Sequence, residues 1–249
     1  MNDQSLFSVA ERIERPLADL LRPKQLDQMV GSVTESEWIK GLFESSRVEN
    51  LLFYGPPGVG KTTLARCLFG QTRMNWHELS AVSSTLKDLK PLLISARERF
   101  AHGGQSTGIF LDEIHRFNKA QQDALLPYVE DGSICLVGAT TENPSFSINR
   151  ALRSRMHLVQ MKALDTAELS VILERAWSSA TRQTKWPDAT KSEAALTWLA
   201  KAAQGDARQA LSLLDVALST QTLVDISLLE SIQSEPLLHY DRQGDAHYQ

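Results

Sequence analysis

The chain predicts an α/β protein, a parallel sheet flanked by helices and followed by a small all-α domain, and three observations predict it. A glycine-rich run, Gly55-Pro56-Pro57-Gly58-Val59-Gly60-Lys61-Thr62-Thr63, lies between the apolar strand-like stretch Leu51-Leu52-Phe53-Tyr54 and the helix-like Leu64-Ala65-Arg66-Cys67-Leu68. Strand-like and helix-like stretches then alternate, the pattern of a parallel sheet with crossover helices. Beyond Lys162 only helical periodicity remains.

Taken in order, residues 1–14 are polar and weakly patterned and read as a mobile arm. Two prolines in the run from Arg15 to Pro23 keep the first part of the fold from becoming one long helix. After the glycine-rich loop, strands are expected over Trp76 to Leu79, Gly108 to Asp112, Ser133 to Ala139 and His157 to Met161, with helices at 84–101 and 119–130. Three amphipathic faces follow: Leu169, Ile172, Leu173, Ala176 and Ala180; then Ala195, Trp198, Leu199 and Ala202; then Ala207, Ala210, Leu211, Leu214 and Leu218. Thr190 with Glu193 reads as a capping box for the second of these helices, and Gly205 as its end. The expected domains are therefore an arm at 1–14, an α/β domain at 15–163, a helical lid at 164–235, and a tail or the start of a further helical domain at 236–249.

Composition sets broad limits. The 249 residues, 42% of them hydrophobic, suffice for a sizeable core, and the net charge of −4 announces no global nucleic-acid field. A DNA partner would need a local basic patch. Lys87, Lys90, Arg97 and Arg99, with Arg116 and Lys119, are candidates, and a solvated charged face explains them equally well. Cys67 and Cys135 fall in apolar runs and fit buried, reduced thiols. No stretch is apolar and long enough to span a bilayer and the N-terminus lacks signal-peptide features, so no membrane partner and a cytoplasmic location are expected. The tryptophans at 38, 76, 177, 186 and 198 read as packing rather than base stacking.

The chemistry starts at the loop. Pro56 to Thr63 forms a phosphate-binding loop whose backbone N–H groups close around phosphate oxygens; Lys61 reaches the same oxygens, Thr62 can ligate Mg²⁺, and the following helix turns its positive end to the anion. The run Gly108-Ile109-Phe110-Leu111 ends in Asp112 and Glu113. Carboxylates at the end of a buried strand suit a cation and an attacking water, with Asp112 on Mg²⁺ and Glu113 as the base. After the next strand, Thr141 is the first choice and Asn143 the second for a polar side chain beside the γ-phosphate. His115, following the two acids, reads either as a relay of a signal from them or as a helix-start histidine with ordinary hydrogen bonds, and the second reading is preferred. Arg153 and Arg155 flank Ser154 before the last strand, and an arginine there either acts across a subunit boundary or is simply solvated.

Phosphate loop, Asp112-Glu113, Gly138-Ala139-Thr140-Thr141, Ser154-Arg155 and Gly205-Asp206-Ala207-Arg208 occur in the order found in the AAA+ ATPases, and resemble their clamp-loader and RuvB side. More narrowly, Asp112-Glu113-Ile114-His115-Arg116-Phe117-Asn118-Lys119, the Gln121-Gln122-Asp123-Ala124 that follows, and Gly138 to Phe146 are similar to the replication-associated recombination protein A family and its eukaryotic counterpart, the Werner-helicase-interacting protein. The similarity runs from about Pro16 to the end of the chain.

The resemblance implies a Mg²⁺-dependent, DNA-stimulated ATPase of replication-fork maintenance, active in recombination and repair as a homo-oligomer built through its ATPase interface. Single-stranded or forked DNA is its implied partner, and a sliding clamp or single-strand-binding protein a further one. For a bacterial chain the location would be the nucleoid. Arg22, Pro23, Val30 and Gly31 match the segment that packs on adenine, Thr141 the γ-phosphate sensor, Arg155 the arginine finger that acts on a neighbour's ATP, and Arg208 the lid arginine that reaches the γ-phosphate. Ser5-Leu6-Phe7 resembles part of a clamp-docking motif, and an unstructured arm accounts for it as well. Ser32 stands where the family usually has Gln, and the segment from there to Leu51 is short. The chain also stops soon after the lid, where the family continues into a tetramerisation domain, so a fragment or a naturally short version is expected. Alternative readings are a clamp-loader-like or branch-migration ATPase, or a non-catalytic ATP-binding interaction module.

Overall fold

Apolar side chains on both sides of successive strands build a sheet that is covered on both faces. In the computed structural model, which describes residues 16–45, 48–182 and 186–234, the strands are β1 (Leu51–Tyr54), β2 (Trp76–Ser80), β3 (Thr107–Asp112), β4 (Ile134–Thr140) and β5 (His157–Gln160). They pair in the order β2-β3-β4-β1-β5, all parallel. The chain leaves β1 for the far edge and returns through β4 to its side, so the carboxyl ends of β1 and β4 flank the crossover point where open α/β sheets place their ligand crevice.

Alternation divides the core. Leu51, Phe53, Phe110, Val137 and Ala139 pack on one face with Leu64, Cys67, Leu68 and Phe69, and Leu52, Ile109, Leu111 and Leu136 pack on the other with Leu89, Leu93 and Ala96. β3 and β4 are buried along nearly their whole length, as central parallel strands must be. The thiols of Cys67 and Cys135 are buried and unbridged. Burial, helped by Asp27, raises the Cys67 pKa to about 11; burial, helped by Glu49, raises that of Cys135 to about 12.

The helices of this part, in chain order after α1 (Leu17–Leu20), are α2 (Glu37–Ser45), α3 (Lys61–Gly70), α4 (Leu86–Ala101), α5 (Lys119–Asp123), α6 (Leu126–Glu130), α7 (Pro144–Ser147) and α8 (Arg150–Arg153). The single helix expected over 119–130 is two. Pro127 has no N–H and its ring crowds the carbonyl of the preceding turn, so it opens a new helix instead of continuing the old one. Trp76 stacks on Phe69 at a centroid distance of 5.1 Å, as packing requires, whereas Trp38 is 42% exposed and only tilts against His157.

The chain divides into two compact units. One is Arg22–Glu168 with Gly205–Ala207, and the other takes Leu169–Gln204, the chain from Arg208 on, and the described residues before Arg22. The second unit is built on α9 (Thr166–Arg182), α10 (Ala195–Ala202), α11 (Ala207–Thr220) and α12 (Ile226–Ser234). Leu169, Leu173, Ala176 and Ala180 are buried on α9, and Ala210, Leu211, Leu214 and Leu218 on α11, the faces the periodicity marks. Within this unit the Leu17 N–H donates to Asp215 Oδ2 at 3.0 Å.

Two details differ from the sequence reading. Thr190 and Lys191 form a two-residue parallel strand with Leu223 and Val224, so a strand pair does occur after Lys162. Thr190 therefore caps nothing, and α10 starts at Ala195 after Ala194. Its end does lie where expected, at left-handed Gln204 and Gly205. Residues 1–15 and 235–249, with the clamp-motif candidate Ser5–Phe7 and the expected tail, lie outside the described residues. Among the described residues no helix is long and apolar enough to cross a membrane.

Gly108 gives the sheet a direct test. A Cβ there would press into the Phe69 ring and lie 2.7 Å from the Trp76 Cβ. Gly108→Ala is expected to cost about 1–3 kcal/mol through overpacking, seen as a lower urea midpoint at unchanged m-value. An unchanged midpoint would mean that the Phe69–Trp76 stack yields freely.

Candidate active site

The carboxyl end of β1 runs straight into a loop that cannot carry ordinary side chains. Gly55, Gly58 and Gly60 have φ of 153°, 69° and 95°. A Cβ on Gly55 would strike the Met161 carbonyl, and one on Gly58 would strike Asp206. The loop is held from both sides: Gly55 N–H donates to the Thr140 carbonyl at 3.3 Å, and Ala207 N–H donates to the Gly58 carbonyl at 3.3 Å. Its backbone is thus bent into the conformation that turns N–H groups toward an anion, at the N-terminus of the ten-residue α3.

Lys61, the first residue of α3, is only 7% exposed. Its ammonium donates to the Gly55 and Pro56 carbonyls at 2.9 and 2.7 Å, so the loop's own oxygens hold the charge at the loop. One residue on, the Thr62 hydroxyl donates to Asp112 Oδ2 at 2.8 Å. β3, buried between β2 and β4, is what carries Asp112 to that point.

Glu113 follows in a left-handed conformation, φ 53° and ψ 42°, which a non-glycine residue rarely adopts. Two hydrogen bonds hold it there: its N–H donates to Asp112 Oδ1 at 3.0 Å, and its carbonyl accepts from Arg116 N–H at 2.8 Å. The Glu113 carboxylate accepts a 3.4 Å bond from the Thr141 hydroxyl and lies 3.2 Å from His115 Nδ1. Contacts of 2.7–3.4 Å thus link Lys61 to the loop carbonyls, Thr62 to Asp112, and both Asp112 and Thr141 to Glu113.

The segment expected at the adenine lies on the same unit. The Arg22 guanidinium donates to the Thr63 hydroxyl at 3.4 Å, and the Cys67 thiol donates to the Pro23 carbonyl at 3.4 Å. Met29, next to half-buried Val30, comes within 3.2 Å of a Cβ built on Gly60. Gly31 has φ 120° and packs against Leu164. Arg22 and Pro23 thus lie along α3, while Gly31 lies against Leu164.

Other candidates are placed differently. The Asn143 side chain accepts from Ser145 N–H and caps α7, so it is engaged in local structure. Arg155 donates to the Ala151 carbonyl at 2.7 Å and pairs with Glu130 at 2.6 Å, with 39% of its side chain exposed. Arg208 is the second residue of α11 and belongs to the second unit. Arg97 pairs with Asp131 at 2.7 Å and lies over the Tyr128 ring, and Arg99 bonds to Ser95 and Thr107, so both have intramolecular partners. Lys87, Lys90, Arg116 and Lys119 are exposed.

Residues that the sequence reading left aside also take part. Asp206 braces the loop beside Gly58, and the only sign of it was its place in the Gly-Asp-Ala-Arg run. Thr140, fully buried, bonds His115 Nδ1 at 3.0 Å through its hydroxyl. Gln122, 3% exposed, donates to the Phe117 and Ser147 carbonyls and accepts from Asn149 N–H. Among the described residues no group of three or more His, Cys, Asp and Glu side chains forms a metal site. A cation here would take oxygen ligands from Thr62, Asp112 and phosphate, the sparse protein set that suits Mg²⁺.

Residues 51–164 match the model of the ATPase family associated with various cellular activities (AAA), and residues 185–249 match that of the AAA C-terminal domain. The chain is 37% identical over 252 residues to the replication-associated recombination protein A of Haemophilus influenzae, covering 97% of this chain and 56% of the relative. It is 38% identical over 242 residues to that of Coxiella burnetii, covering 94% and 54%. It thus spans about half the length of these curated relatives. Among solved structures, the Thermotoga maritima RuvB Holliday junction branch migration motor superposes with a TM-score of 0.65 at 30% identity, covering 85% of this chain and 71% of that one.

The packing of Asp206 on Gly58 sets a test of the loop. Gly58→Val combines a strained left-handed residue, worth about 1–3 kcal/mol, with a collision against Asp206. The expected result is a roughly tenfold or greater loss of affinity for a fluorescent ATP analogue with an unchanged far-UV circular dichroism spectrum. Unchanged affinity would show that the loop's backbone shape is not what binds the nucleotide.

Proposed function

The chain belongs to the AAA ATPase family, among the relatives of replication-associated recombination protein A, and on that premise we propose that it is a DNA-stimulated ATPase of replication-fork maintenance, acting in recombination and repair. The observation that carries the catalytic part is the run of contacts at the loop: Lys61 is held by the Gly55 and Pro56 carbonyls, its neighbour Thr62 donates to Asp112, and Asp112 and Thr141 both bond to Glu113.

In this reading the triphosphate lies on the loop with its charge met by Lys61 and the N-terminus of α3. Arg22, Pro23, Val30 and Gly31 receive the adenine, and Pro56 to Thr63 the phosphates. Thr62 and Asp112 would hold Mg²⁺, which would supply charge neutralisation at the phosphates. Glu113 accepts a proton from a water whose oxygen forms a bond to the γ-phosphorus. The bond from that phosphorus to its bridging oxygen breaks, and ADP leaves with the electron pair. Thr141 holds the Glu113 carboxylate and senses the γ-phosphate beside it.

Arg155 and Arg208 supply charge to the γ-phosphate, Arg155 from a neighbouring copy in a homo-oligomer and Arg208 from the lid. Half exposure suits Arg155 to that task, since its Glu130 partner can be exchanged for a phosphate without burying an unpaired charge. The names of the relatives support replication and recombination as the setting, and with it a DNA ligand, which this reading takes to be single-stranded or forked. Lys87, Lys90, Arg116 and Lys119 are exposed cations on two stretches of the chain and are the candidates for contact with it.

Three variants test this reading. Lys61→Ala should weaken ATP binding on the order of a hundredfold. Glu113→Gln should bind ATP and slow hydrolysis by about 10²–10⁴-fold. Arg155→Ala should bind ATP yet lose turnover by about 10³-fold, and mixing it with Lys61→Ala should restore part of the rate, because each copy supplies what the other lacks. Full turnover by Arg155→Ala, or no recovery on mixing, would remove Arg155 from the neighbour's site. Turnover that forked and single-stranded DNA both leave unchanged would remove the DNA part.

A further inference from the structure

His115 follows the two acids of β3 on the turn Ile114–Arg116, and its side chain is only 6% exposed. Its ring lies among oxygen atoms from two strand ends. Nδ1 is 3.2 Å from Glu113 Oε2 and 3.0 Å from Thr140 Oγ1, and Nε2 is 3.7 Å from Glu142 Oε1. Thr140 Oγ1 itself accepts the Glu142 N–H at 3.0 Å. Nδ1 thus faces two oxygens, the Thr140 hydroxyl, which can donate or accept, and the Glu113 carboxylate, which can only accept, and a proton on Nδ1 is the arrangement that serves both. Glu113 and Glu142 are the only charged groups that the described residues bring to this ring.

We propose that His115 is the positioning residue for Glu113: it holds Oε2 through Nδ1–H and ties the orientation of that carboxylate to the turn that follows β4. The inference rests on the reading of Glu113 as the base for water. The backbone of Glu113 is fixed by its bonds to Asp112 and Arg116, which set the start of the side chain but leave its carboxylate able to rotate. His115 and Thr141 meet the same oxygen, Oε2, at the far end, which leaves Oε1 as the oxygen that takes the proton. Thr140 and Glu142 in turn anchor the ring, so a shift in the β4 turn moves the base.

The experiment uses the full chain with ATP, Mg²⁺ and forked DNA, and compares His115→Ala, His115→Asn and His115→Gln with and without Glu113→Gln. His115→Ala is expected to lower kcat about tenfold, in the range seen when an outer hydrogen-bond partner of a reacting group is lost, with ATP affinity unchanged. His115→Asn places an amide nitrogen near the Nδ1 position and should recover most of the rate. His115→Gln places it near Nε2 and should not. On the Glu113→Gln background, removing His115 should cause no further loss, because the base is already gone. In the nucleotide-free chain, Glu113→Gln should shift the His115 ring nitrogen resonances.

An unchanged kcat in His115→Ala, equal behaviour of the Asn and Gln variants, or an unshifted ring resonance would overturn the inference while leaving Glu113 in its role. Full hydrolysis by Glu113→Gln, or no hydrolysis by the unaltered chain, would instead overturn the reading of Glu113 and the inference with it.

Discussion

A loop with no room for side chains is the constraint on which the rest of the site depends. To turn its N–H groups toward phosphate, the backbone after β1 must pass through left-handed conformations and lie against other backbone. At Gly55 it lies against the Met161 carbonyl and at Gly58 against Asp206. Glycine at these positions is costly in the unfolded chain, because it has the most freedom to lose. That cost is offset by neighbours on both sides: β4 through Thr140, the end of β5 through Met161, and the Gly205–Ala207 segment through Ala207. The strand order brings them together, since β4 and β5 are the two strands that pair with β1.

Given that loop, the placement of the acids follows from the sheet. β3 is buried along its length and can end in carboxylates only where partners wait for them. Asp112 meets the Thr62 hydroxyl and the Glu113 N–H, and both of its oxygens are thereby satisfied. The sharp left-handed turn at Glu113 is the consequence: the chain must reverse at once to bring Ile114 into the core, where it is fully buried. Strain at that residue is compensated by Ile114 burial and by the bonds of the Asp112–Arg116 turn. A strand that ended one residue later would point its second acid elsewhere.

The sequence was most legible where a local rule had a single physical cause. The strands showed as apolar runs of matching length, the phosphate loop as glycine at fixed intervals, and the faces of α9 and α11 as helical periodicity. Four of the site residues, Lys61, Thr62, Asp112 and Glu113, came from such local patterns and are joined in the fold. What was not legible depends on contacts between distant residues. The split at Pro127 was available from the sequence, but the pairing of Thr190 with Leu223 was not, since two-residue strands have no periodicity to read. Asp206 beside Gly58 and His115 beside Thr140 are contacts across 148 and 25 positions, and no spacing rule in one chain reveals them. Arg97 and Arg99 looked like a basic face because their partners Asp131 and Thr107 lie on other elements.

The run Gln121 to Ala124, one of those that mark the family, is bonded to the segment just after the Gly138 to Phe146 run. Gln122, from the first run, is buried and links the Phe117 carbonyl, the Ser147 carbonyl and the Asn149 N–H. Its neighbour Asp123 accepts from the Asn149 side chain at 2.6 Å, and Asn149 in turn caps α8 through Leu152 N–H at 2.6 Å. A buried amide with three satisfied bonds is costly to rearrange, because any slippage leaves a polar atom unpaired. The segment from β4 through α7 to α8 is therefore pinned to the helix that follows β3. Thr141 stands at one end of this braced segment and Arg155 just beyond the other. The side chain that contacts Glu113 and the arginine proposed to act on a neighbouring copy are carried on a single stiff piece of backbone.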